Sequence, residues 1–362
     1  HFLAKALGTL AADLDQMAAP GGLLAQVAAG RDWAERVQHA TIDGPAEAWR
    51  AAIAAIAASP RYGGLVLTPQ LGLVPLGEDP DTGFHEFVHL QSGAPPQRAA
   101  DGRCVPAAGD GIVLVLLPGG EFRMGTQGRD PTAPNYDPSP APGDDTVAQM
   151  QLAPFFLAKY EVTRAQWVRL FGSDPSLVPI GTAGLPPHQD LLPVDNLSWR
   201  MGHAAVRRWG LQLPTEAQWE YAYRAGTSTV YPTGDDEASM QGHGNVAGRE
   251  AGVFARQGQQ ISQSVSDEFV YGAPVGRFRA NRFGLFDLAG NVTEWCEDQV
   301  GPLSVPGRAG DGLRMPGIDD RRAMRGGSYR EPATRAKSAL RGTIGETVRN
   351  PFGGLRAARR VD

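Results

Sequence analysis

A chain of 362 residues, 20% charged and 42% hydrophobic, has the composition of an ordinary globular protein with room for more than one domain. Its net charge of −5 leaves no electrostatic footprint for nucleic acid, which is not expected as a partner, and no apolar run is long enough to span a membrane. Cys104 and Cys296 are too few for a disulfide framework and read as free thiols of a reducing, cytoplasmic compartment.

The chain starts at His1 inside a helical pattern, as a fragment of a longer protein would. Phe2, Leu3, Leu7, Leu10, Leu14 and Met17 recur at helical spacing up to Pro20-Gly21-Gly22. A second pattern runs through Leu23, Leu24, Val27, Trp33 and Val37, and an Ala-rich third covers Trp49 to Ser59 before Pro60. Two arrangements fit this helical segment, residues 1–62. Either it docks as a collar on the main domain, or its first helix continues a longer one from upstream.

Residues 63–110 read as short strands and a linker. Two strands are expected in GLVLTPQLGLVPLG, turning at Pro69, and a third in FHEFVHLQSG. His85, Glu86 and His89 match the H-E-x-x-H zinc-hydrolase pattern, which needs both histidines on one helix face. The alternation of Phe84, Glu86 and Val88 with His85, Phe87 and His89 fits a strand instead. A strand separates i from i+4 by about 13 Å, too far for one zinc ion. From residue 111 an apolar strand over Ile112–Leu117 leads into EFRMG. Helices are expected after Thr163, Ser198 and Thr215, each a good N-cap, with Thr215 and Gln218 spaced as a capping box. Trp199, Trp209 and Trp219 fall on apolar helix faces as core anchors.

Seven blocks then occur in order: Met124-Gly125, KYEVTRAQW, PVDNLSW, LPTEAQWEYAYRAG, FGLFDLAGNVTEWCED, RGGSY and the closing GLR. Together they resemble the formylglycine-generating enzyme (sulfatase-modifying factor) family over residues 111–362. The resemblance implies an α+β, loop-rich, C-type-lectin-like fold, here with an N-terminal helical and β-hairpin extension. The preceding region is similar to what stands before such domains in multidomain bacterial proteins, including ones with a serine/threonine kinase. The resemblance also implies structural calcium at two sites built from oxygen ligands. One would use Asn245, the Val246 carbonyl, Asp267 and the Phe269 carbonyl. The other would use Asp287, the Gly290 and Val292 carbonyls, and Glu294.

Enzymatic members hold copper between two cysteines of the C-terminal segment, soft ligands suited to Cu(I). The matching positions here are Glu331 and Arg335–Ala336, and no cysteine follows Cys296. No copper is expected. A second enzymatic branch, the sulfoxide synthases, holds iron with histidines of an N-terminal bundle. The candidates here are His1, His39, His85 and His89, without a facial-triad spacing, so no iron is expected either. The alternative of an oxidase of either type would need other metal ligands.

The remaining reading is a non-enzymatic binding module that displays Arg325–Arg356. Arg325, Gly326, Gly327, Ser328, Ser338, Gly354 and Arg356 would form its frame. Tyr329, Arg330, Thr334, Arg335, Arg341, Thr343, Ile344, Thr347 and Arg349 would face the ligand, a protein or other macromolecule. Tyr and Arg are the residue types that make binding hot spots. Replacing Tyr329 and Arg341 by Ala is expected to abolish binding with the melting temperature unchanged. The variable proteins of diversity-generating retroelements resemble this chain in placing hypervariable residues in that same segment. Residues 321–362 carry ten Arg and one Lys against two Glu and one Asp, with no interleaved aromatics of the kind nucleic acid needs.

Overall fold

The computed structural model describes residues 2–19, 22–141, 145–253, 260–317 and 319–362. Helices α1 (Phe2–Ala18), α2 (Leu23–Gln38) and α3 (Ala46–Ala58) open the chain. Pro20 and Gly21, expected to end the first helix, lie outside the described residues, as does His1. Of the three helices, α3 is the one seated on the main body. Its Trp49, Ala52 and Ile56 are buried, and Trp49 packs on Phe87 with ring centroids 5.5 Å apart. Trp49 also donates its indole N–H to Thr41 O at 2.7 Å, and Thr41 Oγ1 accepts from Gly72 N at 3.0 Å. By contrast Leu7, Leu10, Leu14, Leu24 and Val27 of α1 and α2 are exposed.

Strands β1 (Leu73–Glu78), β2 (His85–His89), β3 (Ile112–Leu117), β6 (Phe155–Ala158) and β11 (Ala358–Arg360) form one antiparallel sheet in the order β1-β2-β3-β6-β11. The uninterrupted apolar run of β3 suits its central place, since all six residues are buried. The strands of 63–110 therefore add directly to the sheet of the following segment. One expected strand is missing: Leu65–Thr68 pairs with no ladder, and Thr68 and Gln70 bond instead to the backbone of Asp362. In β2 all five residues are buried. His85 and His89 lie on a strand as the alternation requires, and burial pushes His89 down to about 4.

A two-stranded hairpin, β4 (Gly120–Thr126) with β5 (Thr146–Leu152), joins β3 to β6. Three short helices follow: α4 (Arg164–Phe171), α5 (Trp199–Arg208) and α6 (Glu216–Arg224). Thr163, Ser198 and Thr215 each cap one of them, with complete capping boxes at Thr163–Gln166 and Thr215–Gln218. Trp199, Trp209 and Trp219 are all buried. Fully burying such a side chain contributes roughly 2–3 kcal/mol.

The second sheet runs β10 (Gly353–Gly354), β7 (Thr293–Gln299), β8 (Arg321–Arg325) and β9 (Gly342–Gly345). It carries the C-terminal segment, which then returns to the first sheet as β11. The architecture is α+β and loop-rich, with two small sheets and short helices, as expected.

Candidate functional site

Two acidic residues of α6, one turn apart, organise the C-terminal face. Glu216 and Glu220 are fully buried, and Arg325 reaches both, with Nε 3.2 Å from Glu216 Oε1 and Nη2 2.9 Å from Glu220 Oε2. Arg341 adds a second clamp on Glu216, Nε to Oε1 at 2.9 Å. Facing guanidiniums hold the Glu216 carboxyl at about 2 despite its burial. Arg356 binds Glu294 in the same way, with Nη2 2.8 Å from Oε1 and both groups buried. Between these anchors the backbone turns at Gly326, whose φ is 93° and whose added Cβ would lie 3.0 Å from Leu288 O. All seven expected frame residues are buried.

Beside this frame opens a cleft of about 210 Å³, with Met324 and Phe352 among its walls and Glu331, Arg335, Thr343 and Ile344 around it. Glu331 accepts from Ser328 Oγ at 3.0 Å and pairs with Arg335 Nε at 3.3 Å. Thr343 Oγ1 is buried without a partner. The nine residues expected to face a ligand divide into three groups. Thr334, Arg335, Thr347 and Arg349 are exposed, and Arg330, Thr343 and Ile344 are half-buried. Tyr329 and Arg341 are not displayed. Tyr329 is 4% exposed, its ring edge-on to Phe352 at 5.6 Å and its hydroxyl pushed well up by burial. The Arg341 side chain is 6% exposed because the Glu216 carboxylate draws it inward. The spacing of Glu216 and Glu220 inside an aromatic helix was the available sign that buried cationic partners would be needed.

Neither cysteine reaches the cleft. Cys296 is buried within β7, its thiol pushed well above the ordinary range by burial. Cys104, on the loop between β2 and β3, sits 3.7 Å from Glu86 Oε2, and burial lifts its thiol to about 11. The positions implied for the family's sulfur pair hold Glu331 and, at the second, the exposed Arg335 and the fully buried Ala336. Of the iron candidates, His39 is exposed after α2 while His85 and His89 are buried in β2. Among the described residues no cluster of three or more His, Cys, Asp or Glu is arranged to hold a metal.

The two expected calcium sets differ in fit. In the first, Asn245 Oδ1 is buried and unpartnered, while Asp267 accepts from Val246 N at 2.8 Å and Phe269 N at 3.0 Å. Burial, with the Glu250 carboxylate nearby, pushes the Asp267 carboxyl up to about 6. An orphaned amide oxygen next to a desolvated carboxylate matches the oxygen donors of a hard cation. In the second set, Asp287 Oδ1 is also orphaned. Glu294, however, has its oxygens taken by Arg356 and by Trp219 Nε1 at 2.7 Å. That set does not offer its full complement of ligands.

Known proteins resemble this chain in sequence and in fold. The Streptomyces coelicolor formylglycine-generating enzyme is 29% identical over 261 residues, covering 59% of this chain and 78% of the relative. Among solved structures, PvdO from Pseudomonas aeruginosa shares the fold with a TM-score of 0.54 at 24% identity, over 69% of this chain and 95% of that one. Treponema denticola variable protein 1 does so with a TM-score of 0.51 at 20% identity, over 70% and 98%. Residues 105–361 match the model of the sulfatase-modifying factor enzyme 1-like domain, and the chain belongs to that family.

Proposed function

We propose that this chain is a non-catalytic recognition module that binds a protein or other macromolecule on the face around the Glu331–Arg335 cleft. The observation carrying this reading is that Glu331 and Arg335–Ala336 stand where the family resemblance implies a copper-binding sulfur pair, with no cysteine after Cys296. Both thiols of the chain are buried elsewhere and held protonated by that burial. The rim instead offers Arg335 to solvent with Ile344 half-buried beside it. The same segment continues to the exposed Thr347 and Arg349, the latter donating to Asn196 O at 2.9 Å and Pro175 O at 3.1 Å. Guanidiniums next to a partly apolar wall suit a flat macromolecular contact better than a deep small-molecule pocket. The variable-protein reading concerns this same face. A structural calcium ion bound at Asn245, Val246, Asp267 and Phe269 would stiffen the loop region behind it.

The test has two arms. Full chain supplied with Cu(I) and a cysteine-containing peptide under oxygen is expected to consume no oxygen beyond free copper. Stoichiometric copper binding with oxygen uptake would overturn the reading. In the second arm, partners retained by the immobilised chain are expected to be lost on Arg335→Ala/Arg349→Ala. Retention unchanged by both substitutions would remove the face from consideration.

A further inference from the structure

A second concavity, of about 380 Å³, shares no lining residue with the C-terminal cleft. It lies beyond the C-terminal end of α6, with Arg279, Arg282 and His243 among its lining residues, together with Met240, Leu285 and Leu288. The backbone carrying the two arginines is fixed. Arg279 N donates to Gly242 O at 3.0 Å. Between the arginines, Asn281 Nδ2 donates to Ala222 O at 2.7 Å, and its Oδ1 accepts from Phe283 N and Leu285 N at 3.0 and 3.2 Å. Phe278 anchors the other side, edge-on to Phe269.

The guanidiniums themselves are left over. Among the described residues neither Arg279 nor Arg282 has an ion pair or a side-chain hydrogen bond, in contrast with Arg325, Arg341 and Arg356. His243 has Nδ1 3.1 Å from Gln241 O, and among the described residues its Nε2 has no hydrogen-bond partner. The carbonyls ending α6 would ordinarily repel an anion here, but they are consumed. Tyr221 O accepts from Ala225 N, Ala222 O from Asn281, and Arg224 O from Thr227 N. Asp287, the acidic residue in the wall, is buried; its Oδ2 accepts from Gly276 N at 2.6 Å and its Oδ1 has no partner among the described residues. Burial pushes its carboxyl up to about 6, which lessens its repulsion of an anion.

We propose that this cavity binds a small amphipathic anion, its phosphate or carboxylate held by Arg279 and Arg282 and its apolar body lying over Met240, Leu285 and Leu288. Two unpaired guanidiniums on a rigid loop recognise an oxyanion without having to break an internal ion pair first. The adjoining apolar wall favours a ligand with a hydrocarbon or aromatic part over a bare ion.

The test is thermal denaturation and calorimetric titration of the full chain with phenyl phosphate, benzoate and inorganic phosphate at constant ionic strength. Phenyl phosphate or benzoate is expected to bind saturably and more tightly than inorganic phosphate, and whichever binds tighter identifies the head group. Arg279→Ala/Arg282→Ala is expected to weaken that binding at least tenfold. Because both side chains are exposed and unpartnered, the variant should melt with the wild type when no probe is present. No saturable response in the wild type, or the same response in wild type and variant, would overturn the proposal.

Discussion

Tyr329 and Arg341 show how one side chain's role depends on what faces it. By type and position both read as displayed contact residues, yet Tyr329 N donates to Asn291 O at 3.0 Å and its ring turns inward. Arg341 turns inward because Glu216 is fully buried and a lone buried carboxylate is costly. Tyr329→Ala and Arg341→Ala are therefore each expected to lower stability by about 3 kcal/mol, read as a shift in denaturation midpoint. Arg335→Ala and Thr347→Ala, at exposed positions, should stay within about 0.5 kcal/mol of the parent. A Tyr329→Ala midpoint equal to the parent's would return that residue to the surface role the sequence proposes.

At the scale of elements, the loops around Asn245 and Asp267 act as one unit. Val246 N and Phe269 N converge on the Asp267 carboxylate, which no cationic side chain among the described residues pairs with. Its folded pKa of about 6 lies above the ordinary 3.8. The folded state thus holds this proton more tightly than the unfolded chain, and stability falls as pH rises from about 4 to about 6. A calcium ion bound there would offset the loss by pairing with the ionised form. Millimolar calcium is expected to raise the melting temperature by roughly 5 °C at pH 7.5, with the gain fading as pH drops through about 6. EDTA should reverse it and Asp267→Asn should abolish it. A calcium effect of equal size at pH 5, or one retained by Asp267→Asn, would place the ion elsewhere.

Over the whole molecule, the matched domain begins at residue 105, but the sheet does not. β2 is bonded along β3 from Glu86↔Val115 to His89↔Ile112, and Phe87 stacks edge-on against Phe156 at 5.2 Å. Removing β1 and β2 would uncover the edge of a fully apolar strand, which invites association. A chain starting at residue 105 is expected to aggregate or melt well below the parent. One starting at residue 39, keeping α3 and its Trp49, should melt within about 2 °C of it. Light scattering and melting curves distinguish these outcomes. A monomeric, equally stable chain from residue 105 would show that β1 and β2 are dispensable.

Much of this was legible in the sequence because its signals are local. The caps at Thr163, Ser198 and Thr215, the strand alternation through His85–His89 and the apolar run of β3 each lie within a few residues. The seven ordered blocks that mark the family lie along the chain as well, as does the absence of any cysteine after Cys296. What tertiary structure alone decided was pairing at a distance. Arg341 meets Glu216 across 125 positions, Arg325 meets Glu220 across 105, and Arg356 meets Glu294 across 62. The identical residue type at Arg279 and Arg282 meets no carboxylate among the described residues and stays outside. Whether an arginine is frame or contact depends on which buried charge it neutralises, and that charge is supplied by an element remote in sequence.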